Sequence, residues 1–278
     1  MFSRLAGALL RAFLVMALVA MPSVLLPGVG SDGKQMVALV ALFAGALTFV
    51  EYNATYPGLI EFRDAAPYNR MRFAMLFATV LMLTLIASGM AEPTTLTILT
   101  QAVGMLIGQA MDFPYSPVRL ATLMLPASAS AEQVAAVRTA AGMGYLIALV
   151  SLAFFVVLMR LKGWPTQTGA FNVWVNLPTF DPSAGGDVIS RLERDARINL
   201  ALGFLLPFLI PAAVKLGGGA FEPLLMGSSQ TLIWTMAAWA FLPASLFMRG
   251  IAMGRIAGMI RAKRRSGGLA SGQGYLPA

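Results

Sequence analysis

The chain has 278 residues, 58% of them hydrophobic and 12% charged, with a mean hydropathy of +0.75. A soluble domain carries about 25% charged residues and roughly 45–50% apolar ones, so this surplus, gathered in long uncharged runs, defines a polytopic membrane protein. There is no cysteine and no histidine. That excludes disulfides, thiolate nucleophiles, Cys or His metal centres, His-ligated haem and the usual imidazole base, leaving only carboxylate sites for hard cations. No cofactor and no metal are expected.

The formal net charge is +8. The basic residues flank hydrophobic runs, where membrane topology explains them, so no nucleic-acid partner is implied. The Arg, Ala and Gly bias hints at a GC-rich bacterial genome.

Charge-free stretches mark the candidate spans, since a bilayer core needs roughly 20 apolar residues in a helix. They are 12–31, 35–50, 73–91, 93–111, 139–159, 198–214 and 223–248. The first follows Arg4 and Arg11 but lacks an A-x-A cleavage pattern near Ala20, which predicts an uncleaved span.

Between the second and third spans lies EYNATYPGLIEFRDAAPYNRMRF, residues 51–73, the densest polar and aromatic interruption of the chain. Its charges are Glu51, Glu61, Arg63, Asp64, Arg70 and Arg72, and Pro57 and Pro67 restrict the loop. Tyr52, Tyr56 and Tyr68 are expected at headgroup level. Glu61, Arg63, Asp64 and Arg70 form the leading candidate site. Carboxylates and guanidinia together can bind a phosphate, a lipid headgroup or a partner's charged loop. They can equally clamp two segments, with Glu61 or Asp64 pairing to Arg63, Arg70 or an arginine of 191–197.

Residues 93–128 carry Gln101, Gln109, Asp112 and Arg119, with Asp112-Phe113-Pro114-Tyr115-Ser116-Pro117 in the middle. A full crossing here would place eleven of the twenty basic residues on the wrong side. If the segment enters and returns, sixteen basic residues face the cytoplasm. Only Lys34, Arg119, Arg138 and Lys215 then lie outside. The predicted fold is therefore all-α, six transmembrane helices plus a re-entrant or broken-helix hairpin, with seven spans as the alternative. Gln101, Gln109, Asp112 and Arg119 are candidates for a polar path, because ionisable groups at membrane depth default to function.

Beyond Ser130 one long helix is expected, with its core at 139–159, then a Pro/Gly-rich loop whose Trp164 and Trp174 suit the headgroup layer. Asp187 opens an amphipathic helix with Val188 and Leu192 on its apolar side. Asp187–Arg191, Arg191–Asp195 and Glu193–Arg197 are at i,i+4 spacing. Pro207 and Pro211 predict a kink supported by neighbouring helices.

The last span continues into a basic segment with Gly250, Gly254 and Gly258 on one face, suited to internal packing or a dimer seam. Arg255, Arg261, Lys263, Arg264 and Arg265 are expected against anionic lipid headgroups. The domain reading is one integral membrane domain, 1–265, and a flexible tail, 266–278. Two functions fit. One is a non-catalytic accessory, assembly or scaffold role in a bacterial inner membrane, with the bilayer and another membrane protein as partners. The other is a small-solute or ion transporter or channel built on the 93–128 hairpin.

Overall fold

A computed structural model describes residues 2–161, 163–165, 176–180, 185–221, 225 and 227–272. Among these are eight α-helices and no strand: α1 (Phe2–Leu25), α2 (Ser31–Asn53), α3 (Tyr68–Ala91), α4 (Thr95–Ala110), α5 (Pro117–Thr122), α6 (Ala131–Leu161), α7 (Val188–Leu216) and α8 (Ser229–Gly272). A 3₁₀ turn, Gly218–Phe221, follows α7. Lys162, Trp174 and residues 273–278 lie outside the described set.

Six helices, α1, α2, α3, α6, α7 and α8, are long and apolar enough to span a bilayer. The chain is a polytopic all-α membrane protein. α1 stops at Leu25 and not at residue 31, because Pro27 and Gly28 (φ +78°) turn the chain before Ser31. α2 packs against α1 with Gly45 on Ala12 and Met16, while Met36, Leu39, Leu42, Phe43 and Val50 stay exposed. In a bilayer those side chains meet lipid tails, so the exposure carries no hydrophobic penalty.

The helices define two ends. At one, Arg4 Nη2 reaches Ala54 O at 2.5 Å, Tyr68 packs on Phe155, and Arg249 meets Glu61. This is the basic end. At the other, Lys215 Nζ donates to Leu125 O at 3.1 Å, and Met90, Gln133 and Ser228 line one small cavity.

The 93–128 segment stays at the second end. α4 has 16 residues, about 24 Å at 1.5 Å per residue, too short for a hydrocarbon core of about 30 Å. It starts against the end of α3, where a Cβ at Gly89 would lie 2.8 Å from Thr97 Cβ. It finishes where Gly108 crosses α6, with the two backbones so close that a Cβ on Gly142 would lie 2.5 Å from Gly108 Cα. Ser116 then caps α5, with Pro117 at its first turn, and the chain returns to the start of α6.

α7 and α8 form the most extensive helix pair. Gly203 and Gly250 permit it: a Cβ on either would come within 2.8 Å of a backbone oxygen, Pro243 O and Ala196 O respectively. Gly254 is only in ordinary contact with Ala196, and Gly258 faces open space. Internal packing therefore uses Gly250 of the three. α7 is one continuous helix despite Pro207 and Pro211. Pro211 has no N–H for the carbonyl four residues earlier. The indole Nε1 of Trp239 on α8 donates to that carbonyl, Pro207 O, at 3.3 Å.

Candidate functional site

The loop between α2 and α3 is a built structure. Glu51, 8% exposed, turns its carboxylate into three successive backbone N–H groups, those of Gly58, Leu59 and Ile60, at 2.9–3.2 Å. Arg63 Nη1 donates to Glu51 O at 3.2 Å and Ala54 O at 2.6 Å, supplying the carbonyls at the end of α2 with a cationic cap. The same guanidinium grips Asp64 through Nε–Oδ1 at 3.1 Å and Nη2–Oδ2 at 3.2 Å.

Glu61 leaves the loop altogether. Its carboxylate takes a two-point contact from Arg249 of α8, Nε–Oε2 at 2.6 Å and Nη2–Oε1 at 2.8 Å, and the Thr179 hydroxyl at 2.7 Å. Burial pushes this carboxyl up, but the hydrogen bonds from Arg249 and Thr179 and the guanidinium charge outweigh it and hold it below the ordinary value of 4.5. The clamp foreseen for Glu61 therefore exists, but its partner is neither Arg63, Arg70 nor an arginine of 191–197. Arg70 is exposed and has no hydrogen-bond or ion-pair partner among the described residues.

Backbone strain marks the same spot. Phe62 has φ +53° and is 1% exposed, stacked between Tyr68 (4.3 Å between centroids) and Trp164 (5.7 Å). Its N–H donates to Asn176 O at 2.6 Å, and the Asn176 side-chain oxygen accepts from Asp64 N at 3.1 Å. Trp164 Nε1 donates to Ala65 O at 3.1 Å, and Arg255 donates to Trp164 O. Trp164 and Tyr68 are thus buried inside the protein, and the aromatic cluster they make with Phe62 and Phe155 stabilises them there. Tyr56 is exposed.

Two arginines of the basic segment of α8 have acidic partners within the protein. Arg261 pairs with Glu193, and Arg264 Nη1 with Asp187 Oδ1 at 2.6 Å, both across to α7. Arg191 lies over the Phe180 ring at 4.8 Å, and the Asp187 carboxylate also accepts from Ser190 N at 3.1 Å to cap α7. Two of the three carboxylates expected in i,i+4 pairs, Asp187 and Glu193, are taken by guanidinia of α8, while Asp195 pairs with its neighbour Arg194 at 3.5 Å. Lys263 and Arg265 are exposed. The Arg264 contact and the cap hold the exposed Asp187 carboxyl below its usual range. These pairs extend the antiparallel α7–α8 seam from Gly250 to Arg264, roughly 20 Å at 1.5 Å per residue.

At the other end Asp112 sits between Arg119 Nε at 2.5 Å and Arg138 Nε at 2.7 Å. Gln109 is exposed and Gln101 half-buried, and neither joins that cluster. A cavity of about 870 Å³ opens among α1, α2, α7 and α8, with Ser228, Gln230, Thr231 and Thr235 as its polar lining. It reaches none of Gln101, Gln109, Asp112 and Arg119.

Two further cavities, of about 410 and 470 Å³, lie side by side at the basic end between α1, α2 and α3, and share Val15, Thr48, Tyr52, Asn69 and Phe73. The charged residues around them include Arg11 and Arg72, which the spacing of the 51–73 segment did not bring together. Arg11 lies over Tyr52 at 4.7 Å, and Arg72 Nε donates to Ser245 Oγ at 2.8 Å.

Fold and site define an integral membrane protein of six spans whose basic end is tied together by ion pairs and backbone-bound carboxylates. Comparison with known proteins adds no likeness: no family model, no curated protein and no solved structure matches the chain.

Proposed function

We propose that the protein is a non-catalytic accessory or scaffold protein of a bacterial inner membrane, with both termini and the α7–α8 extension in the cytoplasm. The observation that carries this reading is the fate of the acids at the basic end. Glu51, Glu61, Asp64, Asp187, Glu193 and Asp195 are the described carboxylates there, and each is held by an arginine or by backbone N–H groups. General acid–base chemistry needs a carboxyl poised to exchange a proton with substrate. These are spent on geometry, and what they build is a stiff two-helix projection joined to the loop by Glu61–Arg249 and Trp164–Arg255.

Orientation rests on the arginines and lysines. The sixteen residues that the sequence groups on one side include those at the basic end of the fold, and cytoplasmic placement satisfies the positive-inside tendency. A transport reading lacks comparable support, since Asp112 is neutralised between two arginines and the large cavity misses the glutamines.

The test is photo-crosslinking from α8, at Arg265, in cells, followed by mild-detergent purification. A defined membrane-protein partner is expected from Arg265, and none from the same probe at Gln109, an exposed position toward the other end. Solute flux by the purified protein in proteoliposomes, with no partner captured, would overturn the proposal.

A further inference from the structure

Beyond the scaffold reading, we infer that the paired clefts at the basic end form a binding site for one anionic phospholipid, its phosphate held by Arg11 and Arg70. Five arginines border the two clefts, Arg11, Arg63, Arg70, Arg72 and Arg249, against two carboxylates, Asp64 and Glu61. Both carboxylates are already doubly engaged, by Arg63 and by Arg249. The positive charge left over is concentrated on Arg11, Arg70 and Arg72, none of which has an acidic partner among the described residues.

Position and shape select the ligand. Arg11 is three turns into α1 and Arg70 opens α3, so both lie where membrane-spanning helices emerge at the basic end. The walls include Leu14, Val15, Phe73 and Leu76 beside the polar Thr48, Tyr52 and Asn69, and these apolar members lie on the membrane-spanning helices α1 and α3. A soluble anion would leave those walls empty. A lipid fills them with its upper acyl chains while its phosphodiester accepts from the guanidinia, which match phosphate oxygens in a fork. The two volumes, about 410 and 470 Å³, fall within the range of small-molecule sites. Basic recesses between membrane helices on the cytoplasmic side are places where anionic headgroups bind.

The experiment is native mass spectrometry of the full-length protein in mild detergent, titrated with phosphatidylglycerol, with phosphatidylcholine, or with inorganic phosphate. Wild type should retain one phosphatidylglycerol about tenfold more tightly than phosphatidylcholine, a difference of about 1.4 kcal/mol, and inorganic phosphate should not displace it. Arg11→Ala/Arg70→Ala should abolish the preference, while Arg265→Ala, on the far exposed part of α8, should keep it. Arg70→Ala alone removes an exposed side chain with no structural partner among the described residues, so it should fold whatever happens to the double variant, and it should weaken phosphatidylglycerol binding severalfold. Equal retention of the two lipids by wild type, an undiminished preference in Arg70→Ala, or displacement by phosphate would each overturn the assignment. None of these readouts depends on a protein partner, so the scaffold proposal stands or falls separately.

Discussion

Glu61 and Arg249, 188 positions apart, meet in a two-point ion pair that ties the α2–α3 loop to the last helix. The side chains are 11% and 25% exposed, which puts the pair between the surface case, where such contacts contribute about 0–1 kcal/mol, and the buried case, where removing one partner costs about 3–5 kcal/mol. Glu61→Ala and Arg249→Ala should each destabilise by about 2–3 kcal/mol, because each strands a half-buried charge. The double variant should recover about 1–2 kcal/mol of the combined loss, read from a double-mutant cycle on denaturation in detergent. Additive losses would mean the two charges do not sense one another.

The same pair sets a pH dependence. The folded Glu61 carboxyl titrates below its ordinary 4.5, so its contribution is fully present above the unfolded value and is lost as pH falls through the lower folded one. The difference in melting temperature between wild type and Glu61→Gln should be constant from pH 7 to about 5 and shrink below about 4. A difference that grows on acidification would reverse the sign and exclude Arg249 as the stabilising partner.

Arg70→Ala should leave stability within about 0.5 kcal/mol of wild type, as for a surface change away from any named contact. The measurement is the same thermal denaturation in detergent. A loss of about 2 kcal/mol or more would require a structural partner that the exposed side chain lacks among the described residues.

How much of this was legible in the sequence differs by element. The six spans and the hairpin were readable because uncharged runs and the arginine bias act locally and add up along the chain. That Glu51, Glu61 and Arg63 are held followed from the prolines and aromatics around them, while Arg70 is exposed. The identity of the partner did not, because Arg249 is set by how α3 and α8 pack, and no spacing rule spans 188 positions. The i,i+4 pairs expected at Asp187 and Glu193 gave way for a related reason: that rule describes an isolated exposed helix, and α8 supplies competing guanidinia there. Gly104 and Gly108 carry the same four-residue spacing as Gly250, Gly254 and Gly258, and that signal was available for the α4–α6 crossing. Burial of Tyr68 and Trp164 was hidden because interfacial and core aromatics have the same composition.

The α4–α6 crossing should be intolerant of a single methyl group. At Gly142 a Cβ would lie 2.5 Å from Gly108 Cα, and at Gly108 2.8 Å from Arg138 O, both against backbone that cannot rotate away. Gly142→Ala should cost about 1–3 kcal/mol through forced separation of the helices, while Gly254→Ala, in ordinary contact with Ala196, should cost far less. Equal, small effects in thermal denaturation would place α4 farther from α6 than this geometry requires.

The last prediction concerns how the chain is threaded. α4 is too short to cross, begins beside the end of α3 and ends beside the first turns of α6. Leu125, after α5, accepts from Lys215 at the end of α7. The hairpin therefore enters and leaves on one side, and α3 and α6 run antiparallel with no crossing between them. With the basic end in the cytoplasm, reporter fusions after Arg72, Lys162 and Arg265 should all read cytoplasmic, and those after Lys34, Ala129 and Gly219 should read the opposite compartment. Asp112 adds a conditional test. Its ion pairs to Arg119 and Arg138 fasten the hairpin to α6, so Asp112→Ala should raise protease sensitivity around Pro114–Pro117 while leaving the six other reporters unchanged. If Lys34 and Ala129 report opposite sides, the 93–128 segment crosses the membrane, and the seven-span alternative replaces the six-span fold.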